Sequence, residues 1–204
     1  MVVGKACSLK DLCRFIYPII AAFYVSVITF MISYLKDNLL QGLKVSPFKA
    51  PLKILILVPI YVCASLAIGF YTGLFSVKVI DYPMSVLLPF SLFIFPSLLE
   101  EVFFRGVLIP NNAVNHGEKR IVTYIVVSTT AFVLWHPFNA LTINRTAANM
   151  FLNPSFLLIV AALGITCSIS YVASRSLWTP IIIHWLTVVV WVVFLGGRNR
   201  LLEL

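Results

Sequence analysis

Residues 100–105 read Glu-Glu-Val-Phe-Phe-Arg and directly follow an apolar run, residues 82–99, that contains no charged side chain. An ionised side chain near the centre of a bilayer costs on the order of 3 kcal/mol even on the most lenient scale, so such residues are rare, face the protein interior and usually serve a function. Two later apolar segments each contain one histidine, His136 and His184. We expect Glu100 and both histidines to meet in one buried site.

The composition of the chain indicates an integral membrane protein. Hydrophobic residues make up 61% of the sequence and charged residues 11%, whereas a soluble domain is about 45–50% apolar and about 25% charged. Charged residues leave six uncharged windows, each near or above the roughly 20 residues that cross the hydrocarbon core of a bilayer. The windows are 15–35, 54–77, 82–99, 121–144, 146–174 and 176–197. The sequence therefore predicts an all-α fold, a polytopic transmembrane bundle of about six helices.

The first window, residues 15–35, follows Lys5, Lys10 and Arg14, which is the charge order of a signal peptide. A signal h-region is only about 7–15 residues long, and no small-x-small cleavage site precedes the next basic segment. We therefore expect a retained helix. The polar stretch Lys36–Lys53 that follows contains glycine and two prolines, which predicts a loop between the first two helices.

The net charge of +8 raises the question of a nucleic-acid partner. The basic residues lie in short loops and form no single face or run, so we expect membrane lipids and no nucleic acid as partners. With six spans these residues divide evenly between the two sides of the membrane, which leaves the orientation open. We expect a multi-pass protein of the plasma membrane, with another membrane as the alternative, and the oligomeric state is unknown.

The sequence divides into three predicted regions. Residues 1–80 form an N-terminal transmembrane helix pair, residues 81–197 form a core that contains the ionisable intramembrane residues, and residues 198–204 form a short basic tail. The third helix is predicted to continue through the acidic motif to about Ile109 and to stop at Pro110.

Helical geometry assigns different roles to the two glutamates. Glu101 and Arg105 are four residues apart, so they share a helix face and can form an ion pair. Glu100 points about 100° away, over Phe104, without a dedicated cation. A carboxylate in such apolar surroundings can act as a general base or acid near neutral pH. Pro96 removes one helical hydrogen bond and is expected to bend the helix beside Glu100.

Each of these residues also has a purely structural interpretation. The three charged residues of the motif can place their charged groups at a helix end, next to water. His136 lies late in the fourth window, where a lone histidine is often a hydrogen-bonded packing residue, whereas His184 lies near the middle of the last one. The joint occurrence of a glutamate and two histidines on three spans favours a shared site, which would offset three costs of desolvation.

Several motifs together resemble the CPBP family of intramembrane proteases, which includes CAAX prenyl endopeptidases of the Rce1 type, bacterial Abi proteins and bacteriocin-processing or immunity proteins. The resemblance covers about Tyr82 to Leu195. The motifs are Glu100-Glu101-x-x-x-Arg105, Phe132-x-x-x-His136, a small-residue helix around Gly164, Ser176-Leu177-Trp178-x-Pro180 and His184. The resemblance implies a four-helix catalytic core in the membrane that hydrolyses peptide bonds of a peptide or membrane-protein substrate.

The resemblance also implies a role for each matching residue. Glu100 corresponds to the glutamate that activates water, and Glu101 with Arg105 corresponds to its supporting ion pair. His136 corresponds to the histidine that helps to hold the water, and His184 to the one that stabilises the oxyanion of the tetrahedral intermediate. These roles agree with general-base hydrolysis, in which a donor meets the developing negative charge.

One position departs from the family pattern. The family usually has an asparagine four residues after the second histidine, and Val188 occupies that position here. A missing oxyanion donor costs roughly two to three orders of magnitude in rate. Thr187 and Asn139 are the alternative donors, since each lies three residues after one of the two histidines. The chain is therefore either an active protease or a catalytically weakened member that acts as a membrane scaffold, chaperone or immunity protein.

A glutamate and two histidines also match the ligand count of a catalytic zinc site, which has three protein ligands and one open position. If a metal is bound, Glu100, His136 and His184 are the expected ligands. The sequence lacks HExxH, the spacing that places two ligands and a base on one helix face. We therefore expect no metal and no cofactor. A proton-coupled transporter would use the same ionisable groups as a relay, and it is the third function considered.

Overall fold

The computed structural model describes residues 9–80 and 87–197, with side chains from residue 26 onward except residues 49, 53 and 55. In these residues six long helices are present, and the predicted all-α class is confirmed. We name them α1, Leu9–Lys44; α2, Leu52–Tyr71; α3, residues 88–107; α4, Glu118–Thr142; α5, Pro154–Ser174; and α6, Trp178–Phe194. Shorter helical turns are Pro47–Lys49, Ala113–His116, Arg145–Ala147 and Ala148–Phe151.

The chain forms two compact units that divide within α1. The first unit ends at Asp37 and contains most of α1. The second unit begins at Asn38 and contains the last turns of α1 and all later helices. The predicted regions 1–80 and 81–197 stay a prediction. The predicted basic tail, residues 198–204, lies outside the described residues.

Helix α3 is interrupted shortly before the acidic motif. At Phe95 the backbone angles, φ −134° and ψ 117°, are not helical, and Pro96 follows. Proline has no N–H group to donate, so the helical hydrogen-bond ladder is broken here. After the break, the segment Val102–Val107 is π-helical, a conformation that often occurs at functional sites. The bend predicted beside Glu100 is therefore present.

The end of α3 lies close to its predicted position. The helix ends at Val107, two residues before the predicted limit at Ile109, and the chain turns at Pro110. The predicted start of this span at Tyr82 lies outside the described residues, which resume at residue 87.

The predicted loop Lys36–Lys53 is wrong in its first half, because α1 continues to Lys44. Leu39 and Leu43 are one helical turn apart and pack against the buried cluster that contains Leu177. This apolar stripe keeps the segment helical although its flanking residues are polar. The loop was predicted from the polar residues, the glycine and the two prolines of this stretch, and the packing of the short apolar stripe overrides them.

A buried amide binds the end of α3. The side-chain N–H of Asn38 donates to the carbonyls of Gly106 and Ile109 at 2.6 and 3.1 Å, and its oxygen accepts from the N–H of Asn111 at 2.6 Å. Arg175 in turn donates to the carbonyl of Asn111 at 3.2 Å. The last carbonyls of a helix have no partner within the helix, so Asn38 satisfies groups that would otherwise be buried unpaired.

We expect Asn38→Ala to lower the free energy of unfolding by about 2–3 kcal/mol, because several buried backbone groups lose their partner. Denaturation of the purified protein in detergent measures this change. The control is Asn115→Ala, since Asn115 is exposed on the surface and its change is expected to stay within about 0.5 kcal/mol. Equal effects of the two substitutions would contradict the capping role of Asn38.

Helix α5 lies at the centre of the second unit and packs against α2, α4 and α6. The side chain of Asn153 caps its N-terminus, and its C-cap is Arg175, whose backbone is in the left-handed region with φ 58°. A Cβ atom added to Gly164 would lie 3.0 Å from Thr129 Cγ2 and 3.2 Å from Phe132 Cδ1. Small residues on α5 therefore let α4 approach closely, as in other membrane helix pairs.

The segment after α2 pairs with the end of α6. The backbone N–H groups of residues 76, 78 and 80 donate to the carbonyls of residues 195, 194 and 193 at 3.2, 3.0 and 3.0 Å. Carbonyls at a helix C-terminus lack intrahelical partners. These bonds satisfy them and hold the end of α2 beside α6.

Two helices of the described chain, α4 and α5, are long and apolar enough to cross a membrane by length and composition. Shorter apolar stretches are Ile56–Tyr71 and Trp178–Phe194. Large apolar side chains on α4, including Val122, Val126 and Leu134, are exposed on its outer face, as expected for contact with lipid. Six membrane crossings stay a prediction.

Candidate active site

The three predicted catalytic side chains lie in the wall of one cavity. Its volume is about 470 Å³, and residues of helices α2 to α6 line it. Glu100 comes from α3, His136 from α4 and His184 from α6. The interrupted turn at Phe95 and Pro96 also forms part of the wall. Most other lining side chains are apolar, so the few polar groups act in surroundings of low dielectric constant.

Glu101 accepts hydrogen bonds from two side chains at once. Its Oε1 atom lies 2.8 Å from Arg105 Nη1 and 2.8 Å from His184 Nδ1. Glu101 and Arg105 are fully buried, and His184 is almost so. The predicted pairing of Glu101 with Arg105 is present, and the contact with His184 adds a second function. A carboxylate oxygen accepts, so Nδ1 of His184 carries a proton and the ring is fixed in orientation.

Arg105 is anchored on three sides. Besides Glu101, its Nη2 donates to the carbonyl of Gly164 at 2.9 Å, and its guanidinium carbon lies 4.5 Å from the centre of the Phe132 ring. A guanidinium over an aromatic face is attracted by the quadrupole of the ring, which is negative on its faces. Phe132 also contacts the ring of His184 edge to face. The motif residues on the four helices α3, α4, α5 and α6 therefore form one continuous cluster.

Glu100 is oriented differently from its neighbour. Its Oε1 accepts from the indole N–H of Trp135 at 3.0 Å. Its Oε2 makes no hydrogen bond to any described residue and lies 4.0 Å from Nε2 of His184. That separation exceeds a direct hydrogen bond. A carboxylate oxygen with an unused lone pair beside an imidazole is suited to accept a proton.

His136 faces the same cavity with its ring held by its own helix. Nδ1 lies 3.0 Å from the carbonyl of Phe132, and a carbonyl can only accept, so Nδ1 is the donor. In the neutral ring Nε2 then keeps a lone pair. Edge contacts with Phe151 and Phe156 fix the ring plane. His136 is thus both packed, as the structural interpretation predicted, and part of the cavity wall.

The three positions considered for the oxyanion donor all line the cavity: Thr187, Val188 and Asn139. The hydroxyl of Thr187 donates to the carbonyl of Ile183 at 2.8 Å, so its single proton is already used. Asn139 Oδ1 is buried without a hydrogen bond to any described residue. Val188 brings no donor.

Glu100, His136 and His184 do not meet the geometry of a metal site. Among the described residues, no three His, Cys, Asp or Glu side chains are grouped closely enough to hold an ion. The expectation of hydrolysis without a metal stays a prediction.

The Rce1-like family, described as type II CAAX prenyl endopeptidase Rce1-like, matches residues 82–190. This match covers more than half of the 204 residues. The chain belongs to the Rce1-like family. Neither a curated protein nor a solved structure matches the chain.

The Rce1-like family consists of membrane-embedded proteases, so the resemblance identified in the sequence is confirmed at family level. Glu100, His136 and His184 all fall within the matched Rce1-like region, residues 82–190. The cavity extends beyond this region, because α2 contributes Tyr61 to its wall.

Sequence reasoning missed two polar residues of the site. Trp135 directly precedes His136 in the sequence, and adjacent helix positions point about 100° apart. The two side chains were therefore not expected to face the same cavity, and the bond of Trp135 to Glu100 was not predicted. Tyr61 is one of two tyrosines in the apolar stretch of α2, and no sequence pattern distinguishes it. Only the packing of α2 against α5 brings it to the cavity.

Proposed function

We propose that this protein is an intramembrane endopeptidase that hydrolyses a peptide bond of a membrane-associated substrate with water activated by Glu100. One observation carries the proposal: the free Oε2 atom of Glu100 faces Nε2 of His184 across 4.0 Å in the cavity wall. A base and a donor that face each other in one cavity are the groups that general-base hydrolysis requires.

In this mechanism Glu100 takes a proton from water as the water oxygen attacks the carbonyl carbon of the peptide. The lone pair of His136 Nε2 accepts a hydrogen bond from the same water and orients it. The carbonyl oxygen becomes negatively charged and accepts a hydrogen bond from His184. The C–N bond then breaks, and the departing amine takes the proton from Glu100, which regenerates the carboxylate.

The donor role of His184 requires a second proton on its ring. Glu101 already holds the proton on Nδ1, so Nε2 donates only in the imidazolium form. The charges then balance, because the two cations of Arg105 and His184 face the two carboxylates of Glu100 and Glu101. A balanced, hydrogen-bonded cluster avoids an uncompensated buried charge.

The surroundings of the cluster favour a substrate segment that is largely apolar. Most of the cavity wall is apolar, and an apolar segment next to the scissile bond would bury its surface there. We propose a peptide or membrane protein as the substrate, membrane lipids as the other partners, the plasma membrane as the location, and neither a metal nor a cofactor.

A scaffold or immunity function is the second candidate. Val188 lines the cavity at the position where the family usually places an amide donor, and this observation favours a member with weakened catalysis. A scaffold would need neither Glu100 nor the two cavity histidines.

Hydrolysis of a membrane-tethered reporter peptide in water enriched in oxygen-18 tests the proposal. We expect a cut product whose new carboxylate contains the heavy isotope, and a loss of about 10²-fold or more in His184→Gln and His136→Gln. The control is His116→Gln, because His116 pairs with Tyr124 outside the cavity. A wild-type protein that yields no labelled product would favour the scaffold.

A further inference from the structure

Tyr61 has a buried hydroxyl group with no role in the mechanism proposed above. Its side chain is only 4% exposed and belongs to the wall of the cavity that contains Glu100 and His184. The residue lies on α2, outside the region 82–190 that matches the Rce1-like family. A buried tyrosine normally finds a partner for its hydroxyl.

The partner of Tyr61 lies on the helix of His184. The Tyr61 hydroxyl donates to Oγ1 of Thr187 at 3.3 Å, and Thr187 uses its own proton on the carbonyl of Ile183 at 2.8 Å. Tyr61 is therefore the donor in this pair. Thr187 lies one helical turn from His184 and next to Val188, so the Tyr61 proton reaches the face where the oxyanion donor is missing.

We propose that Tyr61 is a further catalytic residue, whose hydroxyl donates a hydrogen bond to the oxyanion of the tetrahedral intermediate. The inference rests on the proposed function. Tyr61 acts beside His184 and supplies the donor that Val188 lacks. No proton is transferred in this contact, because the phenol O–H only donates a hydrogen bond. The proton of the water is taken and returned by Glu100.

In the resting structure the Tyr61 hydroxyl donates to Thr187, and the proposed role requires that it donate to the oxyanion instead. The length of the resting bond is compatible with this change. O–H···O hydrogen bonds are usually 2.5–3.0 Å long, and the bond to Thr187 is longer, 3.3 Å. A negatively charged oxygen is a stronger acceptor than a neutral hydroxyl. The hydroxyl is thus expected to leave Thr187 when the oxyanion forms, which stabilises the transition state more than the ground state.

The packing of α2 places Tyr61 in the cavity wall. Helix α2 packs against α5, and the segment after α2 is hydrogen-bonded to the end of α6. These contacts hold α2 where the Tyr61 hydroxyl meets Thr187 of α6. A donor on a rigid element needs little reorganisation during the reaction.

Cleavage of the reporter peptide by Tyr61→Phe tests the inference. We expect kcat to fall about 10²-fold with KM nearly unchanged, because one transition-state donor is lost. The matched control is Tyr71→Phe on the same helix, since Tyr71 is 93% exposed. The double variant Tyr61→Phe with Val188→Asn is expected to regain at least about 10-fold in kcat, because an amide returns to the face of His184.

The outcomes separate this inference from the proposed function. Wild-type cleavage that is lost in Glu100→Gln but unchanged in Tyr61→Phe would overturn the role of Tyr61 alone. Absence of cleavage by the wild type would overturn both. Thermal unfolding of Tyr61→Phe excludes a folding defect: a loss of turnover that follows the folded fraction and that Val188→Asn does not restore would make Tyr61 a packing residue.

Discussion

Glu101→Gln is expected to lower the free energy of unfolding by about 3–5 kcal/mol, because it leaves a buried guanidinium without its carboxylate. Arg105 is fully buried and lies 2.8 Å from Oε1 of Glu101. Its remaining partners are the carbonyl of Gly164 and the ring of Phe132, neither of which bears a full negative charge. Denaturation of the wild type and the variant in detergent measures the difference.

The same substitution is also expected to reduce cleavage per folded molecule. The Glu101 carboxylate holds Nδ1 of His184 at 2.8 Å, and a carboxylate that orients a catalytic histidine contributes up to about 10⁴-fold in serine-protease triads. We expect a loss of at least about 10²-fold. The sequence spacing predicted only the ion pair with Arg105, and the contact with His184 adds the effect on chemistry.

Glu118→Gln is the matched control for the stability measurement. Glu118 lies in the first turn of α4 and is exposed. Its loss removes a favourable interaction with the helix dipole that is worth only about 0.3–1 kcal/mol. If Glu101→Gln were no more destabilising than Glu118→Gln, the buried ion pair would not support the fold.

Glu100→Gln is expected to reduce cleavage by about 10²–10⁴-fold with little loss of stability, because a general base is removed. The amide keeps the shape of the side chain, and its oxygen can still accept from Trp135, which is 3.0 Å from Oε1 in the wild type. The Oε2 atom has no hydrogen bond to any described residue, so its replacement breaks no bond of the resting fold.

Rates of reporter cleavage and unfolding midpoints, measured on the same preparations of Glu100→Gln and Glu101→Gln, compare the two roles. The expected pattern is an inactive, stable Glu100 variant and a weakened, unstable Glu101 variant. Equal destabilisation by both substitutions would show that the two carboxylates share one structural role. Full activity of Glu100→Gln would remove glutamate-activated water from the mechanism.

Local patterns predicted the helices well where apolar length was the only requirement. The uncharged windows around α4, α5 and α6 correspond to helices in the structure, since a chain in lipid must satisfy its backbone internally. The prediction failed in Lys36–Lys53, because packing of Leu39 and Leu43 extended α1 beyond the charged residues. A helix end depends on what the next turn contacts, and sequence windows do not contain this information.

The membrane class, the Rce1-like motifs and the pairing of Glu101 with Arg105 could be predicted from the sequence, because they depend on composition and on short spacings. The contact of His184 with the Glu101 carboxylate and that of Trp135 with Glu100 arise from helix packing. Helix packing also brings Tyr61 to Thr187. These contacts join residues far apart in the chain, and their distances are set by how closely the helices pack.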